Sequence, residues 1–313
     1  MSTVVCLLGY SLAVLLAGPP VLRRLTAGGQ APRLGVAAWL TAIVSVLVSW
    51  VAAAVIVIVE LAISWGHLDR LIVSCVMWLW GAVGGGGVGT GAQAVLLAAL
   101  AAAGAGAAVA AVQVVRTAGM LRRRAHWHAR DVRLVGHRTT DVDVVVIDAP
   151  QPAAYCVAGH PGAIVFTSAA LAALDDCQRA AVLAHERAHL AGHHPIIMVG
   201  LRALARVFAR VPLITEGAHQ VSRLLEMCAD DAAAREHGAR ALLAGLIALC
   251  GAAPAEALGA ADVAVLDRAV RLAGPGGAGD VAVRAGLAAA LAVVVGGLVV
   301  IAALAAAGTA LCM

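Results

Sequence analysis

The sequence contains no lysine. Its 22 basic residues are all arginine, set against 18 acids, for a formal net charge of +4. Charged residues of all kinds fill only 13% of the 313 positions, about half the usual quarter of a soluble globular chain. That scarcity excludes an intrinsically disordered chain. With 62% apolar residues and a mean hydropathy of +0.93, it also argues against an ordinary soluble protein. The missing lysine reads as the base composition of a GC-rich genome rather than as function. The small positive balance does not point to nucleic acid; in an apolar chain of this kind it sets topology. Seven cysteines are an odd number with no C-x-x-C pair, and Cys6, Cys75 and Cys312 lie in or beside apolar runs. A disulfide framework is therefore not expected, and a reducing compartment fits better.

Charge is absent altogether from residues 1–22, 34–59, 71–115 and 285–313. A helix crossing a bilayer needs about 20 apolar residues, so spans are expected near 3–22, 36–59, 93–115 and 285–307. Within the third run, the glycine-rich stretch Gly81–Gly91 is a poor helix, since each glycine costs about 1 kcal/mol against alanine. The segment 71–83 therefore reads as a re-entrant or interfacial piece, with Trp65, Trp78 and Trp80 at headgroup level; a fifth span is the alternative. Arg23 and Arg24 follow the first apolar run rather than precede it, which favours a retained anchor over a cleaved signal peptide. Arginines cluster after spans one and three and before span four, and the basic side of a membrane protein faces the cytoplasm. Residues 116–284 are thus expected to be cytosolic and both termini outside.

That segment has a different texture. It holds 18 of the 22 arginines, 16 of the 18 acids and ten of the 11 histidines. At about 165 residues it is long enough to bury one core. Val142–Asp148 is rich in β-branched residues and reads as a strand. Two apolar runs, 154–158 and 163–167, flank Gly159-His160-Pro161-Gly162 and read as a hairpin. Ser168 is expected to cap a short helix, Ala169–Leu174. Asp175 or Asp176 should cap the next, which runs to Ala191 before Gly192 and Pro195 stop it. Further helices are expected at about 196–210, 217–237, 240–250 and 262–273, followed by a Gly274–Gly279 linker.

The capped helix contains His185-Glu186-Arg187-Ala188-His189. Positions i and i+4 share a helix face, so two imidazoles at this spacing are able to hold one Zn²⁺. Glu186 lies beside the first, within reach of a metal-activated water. A catalytic zinc needs a third protein ligand and an open position. The third histidine of the metzincin pattern would fall at Pro195; His193 and His194 miss the place and are read as charges capping the helix C-terminus. Glu226, 37 residues after His189, is the better ligand, allowing a loop and a returning helix. Asp230 lies one turn on and would accept the outer N–H of a ligating histidine. Ala229, Ala232, Ala233 and Ala234 would let this helix pack close to the first.

With H-E-x-x-H at His185–His189, E-x-x-A-D at Glu226–Asp230, Ser222-Arg223 ahead of it and GHPGAIVFTSAALAALD upstream, the chain resembles the BlaR/MecR-type integral membrane zinc metallopeptidases. These are gluzincins related to the HtpX and CAAX prenyl protease group. The resemblance is close over about 155–237. It implies one Zn²⁺ per chain held by His185, His189 and Glu226, with Glu186 as general base, Asp230 behind a ligand, and Arg223 supporting or lining the site. It also implies that a substrate strand adds to the hairpin edge near 154–158 or 163–167. His219 stands where the prenyl-protease group often has asparagine; it is either an oxyanion stabiliser or a polar surface residue. Cys228 is displaced by one from the family's cysteine and reads as a packed small side chain. The chain ends without a sensor domain after the last apolar run, so a β-lactam receptor role is not expected.

The fold expected is mainly α: multi-pass membrane helices with an inserted α+β, zincin-like metallopeptidase domain. Its divisions are 1–116 (about three spans and the re-entrant piece), 117–280 (cytosolic zinc domain) and 281–313 (last span). The expected function is endopeptidase hydrolysis at the cytosolic face of the cell membrane, with a protein or peptide substrate, the lipid bilayer as partner, and no nucleic acid. Two alternatives stay open: a signalling protease that cuts one repressor or membrane partner, and a non-catalytic scaffold stabilised by zinc. A transporter would need ionisable residues inside its spans, and Glu60 at a span edge is the only such hint.

Overall fold

The computed structural model describes residues 2–63, 90–159, 161–250, 260–274 and 279–311. The segment 71–83, His160 in the hairpin turn and residues 275–278 of the expected linker lie outside the described residues. The described residues are mostly helical, with one small sheet. In order, the elements are α1 (Ser2–Thr26), α2 (Pro32–Ile63), α3 (Thr90–Val135), β1 (His137–Arg138), β2 (Val144–Ile147), β3 (Ala154–Val157), β4 (Ala163–Thr167), α4 (Ser168–Ala173), α5 (Asp176–Ala191), α6 (His194–Val207), α7 (Pro212–His237), α8 (Ala239–Cys250), α9 (Ala260–Ala273) and α10 (Gly279–Leu311). Two compact units divide the chain: one made of 1–20, 41–113 and 289–313, the other of 21–40 and 114–288.

Among the described residues of the first unit, serine, tyrosine and tryptophan side chains make hydrogen bonds within the unit. Ser11, Ser45 and Ser49 donate back to carbonyls of their own helices. The Tyr10 hydroxyl donates to the Val294 carbonyl at 2.8 Å, and the Trp50 indole N–H to Ser11 at 3.3 Å. Val4, Leu7 and Ala53 form a small core with Ile56, Leu298 and Ile301 packed on it. Large apolar side chains such as Leu12, Leu16, Val51, Ile58, Val293 and Val299 are exposed. Among the described residues, four helical stretches are long and apolar enough to cross a membrane: Thr3–Thr26, Pro32–Glu60, Ala101–Val135 and Val281–Ala307.

The second unit holds the sheet, in the order β1-β2-β4-β3. β4 pairs parallel with β2 and antiparallel with β3, so the expected hairpin forms and β3 is left at an edge. β4 is interior, which leaves 154–158 as the edge of the two alternatives. The pleat sends alternate residues to opposite faces. Val144, Ile164 and Phe166 pack with Ala170, Leu174 and Val182 on one face, while Val145, Val157 and Val165 pack with Ala129 and Val132 of α3 on the other. The expected strand 142–148 is trimmed to Val144–Ile147, with Val142 almost fully exposed.

Thr167, not Ser168, caps α4: its hydroxyl accepts from the Ala170 N–H at 3.1 Å. Ser168 instead donates to the Asp148 carboxylate at 2.6 Å. Asp175 caps α5 in a reciprocal box with Gln178, and Gly192 ends the helix. Behind α5, the returning helix α7 comes close because Ala181, Ala229 and Ala233 are fully buried and small. The α1–α2 turn is tied to the same helices. Arg223 donates to the Thr26 and Ala27 carbonyls, and Arg271 to the Gly29 carbonyl. Gly29 has φ +62°, which a residue with a Cβ adopts only under strain.

Candidate metal centre

The spacing of His185 and His189 on α5 brings their Nε2 atoms to 3.1 Å of each other. Glu226 on α7 completes a triangle: its Oε2 lies 3.5 Å from His185 Nε2 and its Oε1 3.5 Å from His189 Nε2. All three donor atoms fall within 4.8 Å of one another. A cation bound tetrahedrally at about 2.0–2.1 Å holds its donors roughly 3.3 Å apart, so these separations suit one ion seated among the three. The donor set, two imidazoles and one carboxylate, is also what zinc takes in hydrolytic sites.

Each imidazole faces a polar neighbour at its outer nitrogen. Asp230, fully buried, places Oδ1 3.2 Å from His185 Nδ1, in range but short of formed hydrogen-bond geometry. His194 places its Nδ1 2.9 Å from His189 Nδ1, close enough for one ring to donate to the other. The reading of His194 as a charge capping the helix C-terminus is therefore corrected. His193 turns the chain through a left-handed φ of 53°, and His194 is buried against the second imidazole. Gly192 is required there, because a Cβ would run into the His194 ring.

Burial disfavours charge on His185, but Asp230 and Glu226 outweigh it and raise its pKa to about 9. Burial also opposes ionisation of Glu226, yet the two imidazoles and Arg268 hold it well below the usual carboxylate range. For Asp230, burial is likewise overcome by Arg268 and His185, and its pKa is lowered. Glu186 goes the other way. Burial pushes its carboxyl up, His185 and His189 pull it down, and Glu226 adds to the rise. Burial and neighbouring Glu186 push the Cys156 thiol up to about 12, so it stays protonated. His194 is lowered to about 4, first by burial and then by His189, and is neutral at pH 7.

A cavity of about 590 Å³ opens onto the cluster. Glu186, His189, His194 and Glu226 line it, with β3 residues Ala154–Val157 along one side. The expected site residues do not all meet here. Arg223 faces the α1–α2 turn through its backbone bonds, and His219 is exposed and outside the cavity lining. Cys228 is buried, as expected of a packed side chain. The basic residue at the cluster is Arg268, which the sequence reading did not single out. Its signal is faint: Arg268 and Arg271 at i, i+3 match the adjacent acids Asp230 and Asp231.

No curated protein and no solved structure matches the chain. Residues 116–259 match the family model described as peptidase family M48. That is the HtpX/BlaR/CAAX-protease type of zinc metallopeptidase, in keeping with the resemblance carried by the motifs. The matched residues include both imidazoles and the Glu226 carboxylate, and over them the chain is similar to peptidase family M48.

Proposed function

We propose that the chain is an integral membrane, zinc-dependent endopeptidase. The observation that carries this is the triangle of His185, His189 and Glu226, brought together from two helices at separations that suit one tetrahedral ion. Zinc bound there would polarise the scissile carbonyl and lower the pKa of water. Glu186, buried at the cavity wall, takes the proton of the attacking water and returns it to the leaving amine. Asp230 and His194 hold the outer nitrogens of the two ligating rings and so fix their orientation. A peptide lying along the open edge of β3 extends the sheet by backbone hydrogen bonds, which presents its carbonyls to the cluster.

The membrane placement rests on hydropathy and arginine distribution. In this reading the apolar parts near 3–22, 36–59, 93–115 and 285–307 cross the bilayer and 116–284 lies in the cytosol. Residues 1–116 form the N-terminal membrane region, 117–280 the catalytic domain and 281–313 the last span.

The test uses the full chain purified in detergent. Metal analysis should give one zinc per chain, and the zinc-loaded protein should cleave an unfolded protein substrate. A chelator should stop cleavage and added zinc restore it. Glu186→Gln should keep the zinc and lose the cleavage. Full activity in Glu186→Gln, or zinc retained after His185→Ala and Glu226→Ala together, would overturn the reading.

A further inference from the structure

The family match ends at residue 259, yet a side chain from beyond it grips the acidic half of the cluster. Arg268 on α9 is 8% exposed. Its Nε donates to Asp230 Oδ2 at 2.8 Å and its Nη2 to Oδ1 at 2.6 Å, a two-pronged match of guanidinium to carboxylate. Its third nitrogen, Nη1, lies 3.4 Å from Glu226 Oε2. Asp230 Oδ1, which takes the Nη2 bond, is the atom that faces His185 Nδ1. One planar group therefore touches both acids of α7 and, through Asp230, bears on the first imidazole.

Glu226 and the fully buried Asp230 bring two carboxylates to the imidazole pair, and one guanidinium reaches both. A buried carboxylate stripped of its cation is strongly destabilised and tends to rotate or protonate. Arg271, one turn further along α9, supplies an internal comparison: it pairs with Asp231 and the Gly29 carbonyl. That pair fastens α9 to α7 and to the α1–α2 turn, and involves none of the three donor residues.

We propose that Arg268 is a positioning residue for the metal centre: its fork holds Asp230 against His185 and keeps the Glu226 carboxylate turned toward the two imidazoles. The proposal rests on the metal-centre reading above. A point charge at this place would neutralise but not orient, because lysine has no planar fork with which to reach both acids.

The experiment compares Arg268→Gln, Arg268→Lys and Arg271→Gln with the wild type, each as full chain in detergent. Zinc affinity is read by competition with a chromophoric chelator, and metal-free stability by thermal melting. Arg268→Gln should lose about 10–100-fold in zinc affinity and lower kcat with little change in KM. Arg268→Lys should recover part of the loss. Arg271→Gln should lower the melting temperature and leave zinc affinity at the wild-type value. Wild-type zinc affinity in Arg268→Gln overturns the proposal, as does an equal loss in Arg271→Gln. Should Arg268→Gln fail to fold, a wild-type affinity in folded Arg268→Lys overturns it as well. A wild type that binds no zinc removes the metal-centre reading itself, whereas a zinc-binding wild type with an indifferent Arg268 removes only this inference.

Discussion

The two compact units of the chain are built inside out with respect to each other's chemistry. In the unit of 1–20, 41–113 and 289–313, large apolar side chains such as Leu16, Ile58, Val293 and Leu304 stand exposed, and the hydrogen bonds are made by serine, tyrosine and tryptophan. In the other, His185, Glu186, His189, His194, Asp230 and Arg268 are buried, and a small sheet packs its valines and isoleucines on both faces. Exposed apolar surface of that extent suits hydrocarbon, where intrahelical bonds satisfy the backbone. Buried ionisable groups persist only when paired or bound to metal. The same physical cost, that of a polar group without a partner, shapes both units and gives opposite surfaces.

That contrast can be broken most severely at Glu186. Glu186→Gln keeps the size and burial of the side chain but removes the carboxylate proposed as base, and kcat should fall about 10²–10⁴-fold in a peptide cleavage assay, with zinc content unchanged. The next largest effect compares one substitution in two places. Val299→Arg puts charge on an exposed apolar face of α10 and should cost about 2.5–3.5 kcal/mol in a membrane-insertion assay. Val142→Arg, at a still more exposed position beside the sheet, should change thermal stability by less than about 0.5 kcal/mol. Equal effects at the two positions would remove the distinction of solvents. Ala233→Leu fills space that α5 and α7 do not have and should destabilise by about 1–3 kcal/mol in denaturant melts.

The smallest effect lies at the surface. Arg187 hydrogen-bonds Asp143 at 3.0 and 3.1 Å and holds its carboxyl below the ordinary value, against a partial opposing push from burial. A lowered folded pKa adds stability above the unfolded value of about 3.9, and that stability is lost as pH falls through the folded one. Both partners are largely exposed, so Asp143→Asn should cost less than about 1 kcal/mol near neutral pH. Wild type and variant should converge in acid; a gap that widens instead would contradict the sign.

The H-E-x-x-H pair was legible in the sequence because a helix converts a spacing of four into one face, and Asp175 and Gly192 marked that helix at both ends. Glu226 and Asp230 were legible for the same reason, one turn apart on α7. Arg223 was drawn into the site by adjacency in the motif, yet its direction on α7 carries it to the α1–α2 turn. Arg268 was missed because nothing local distinguishes it from any arginine on an amphipathic helix; its role depends on which helix α9 meets. The cap of α4 moved by one residue because Thr167 and Ser168 both carry the needed hydroxyl, and the Asp148 carboxylate engages Ser168. His194 looked like a charge at a helix end, and only the sharp turn at His193 brings it under the second imidazole.

The tie between Arg268 and Asp230 spans 38 positions, and that between Arg271 and the Gly29 carbonyl spans 242. A ribosome adding about 5–20 residues per second therefore makes Asp230 roughly 2–8 s before Arg268, its guanidinium partner. The order of translation thus leaves the cluster of imidazoles and acids without its guanidinium until α9 has been made.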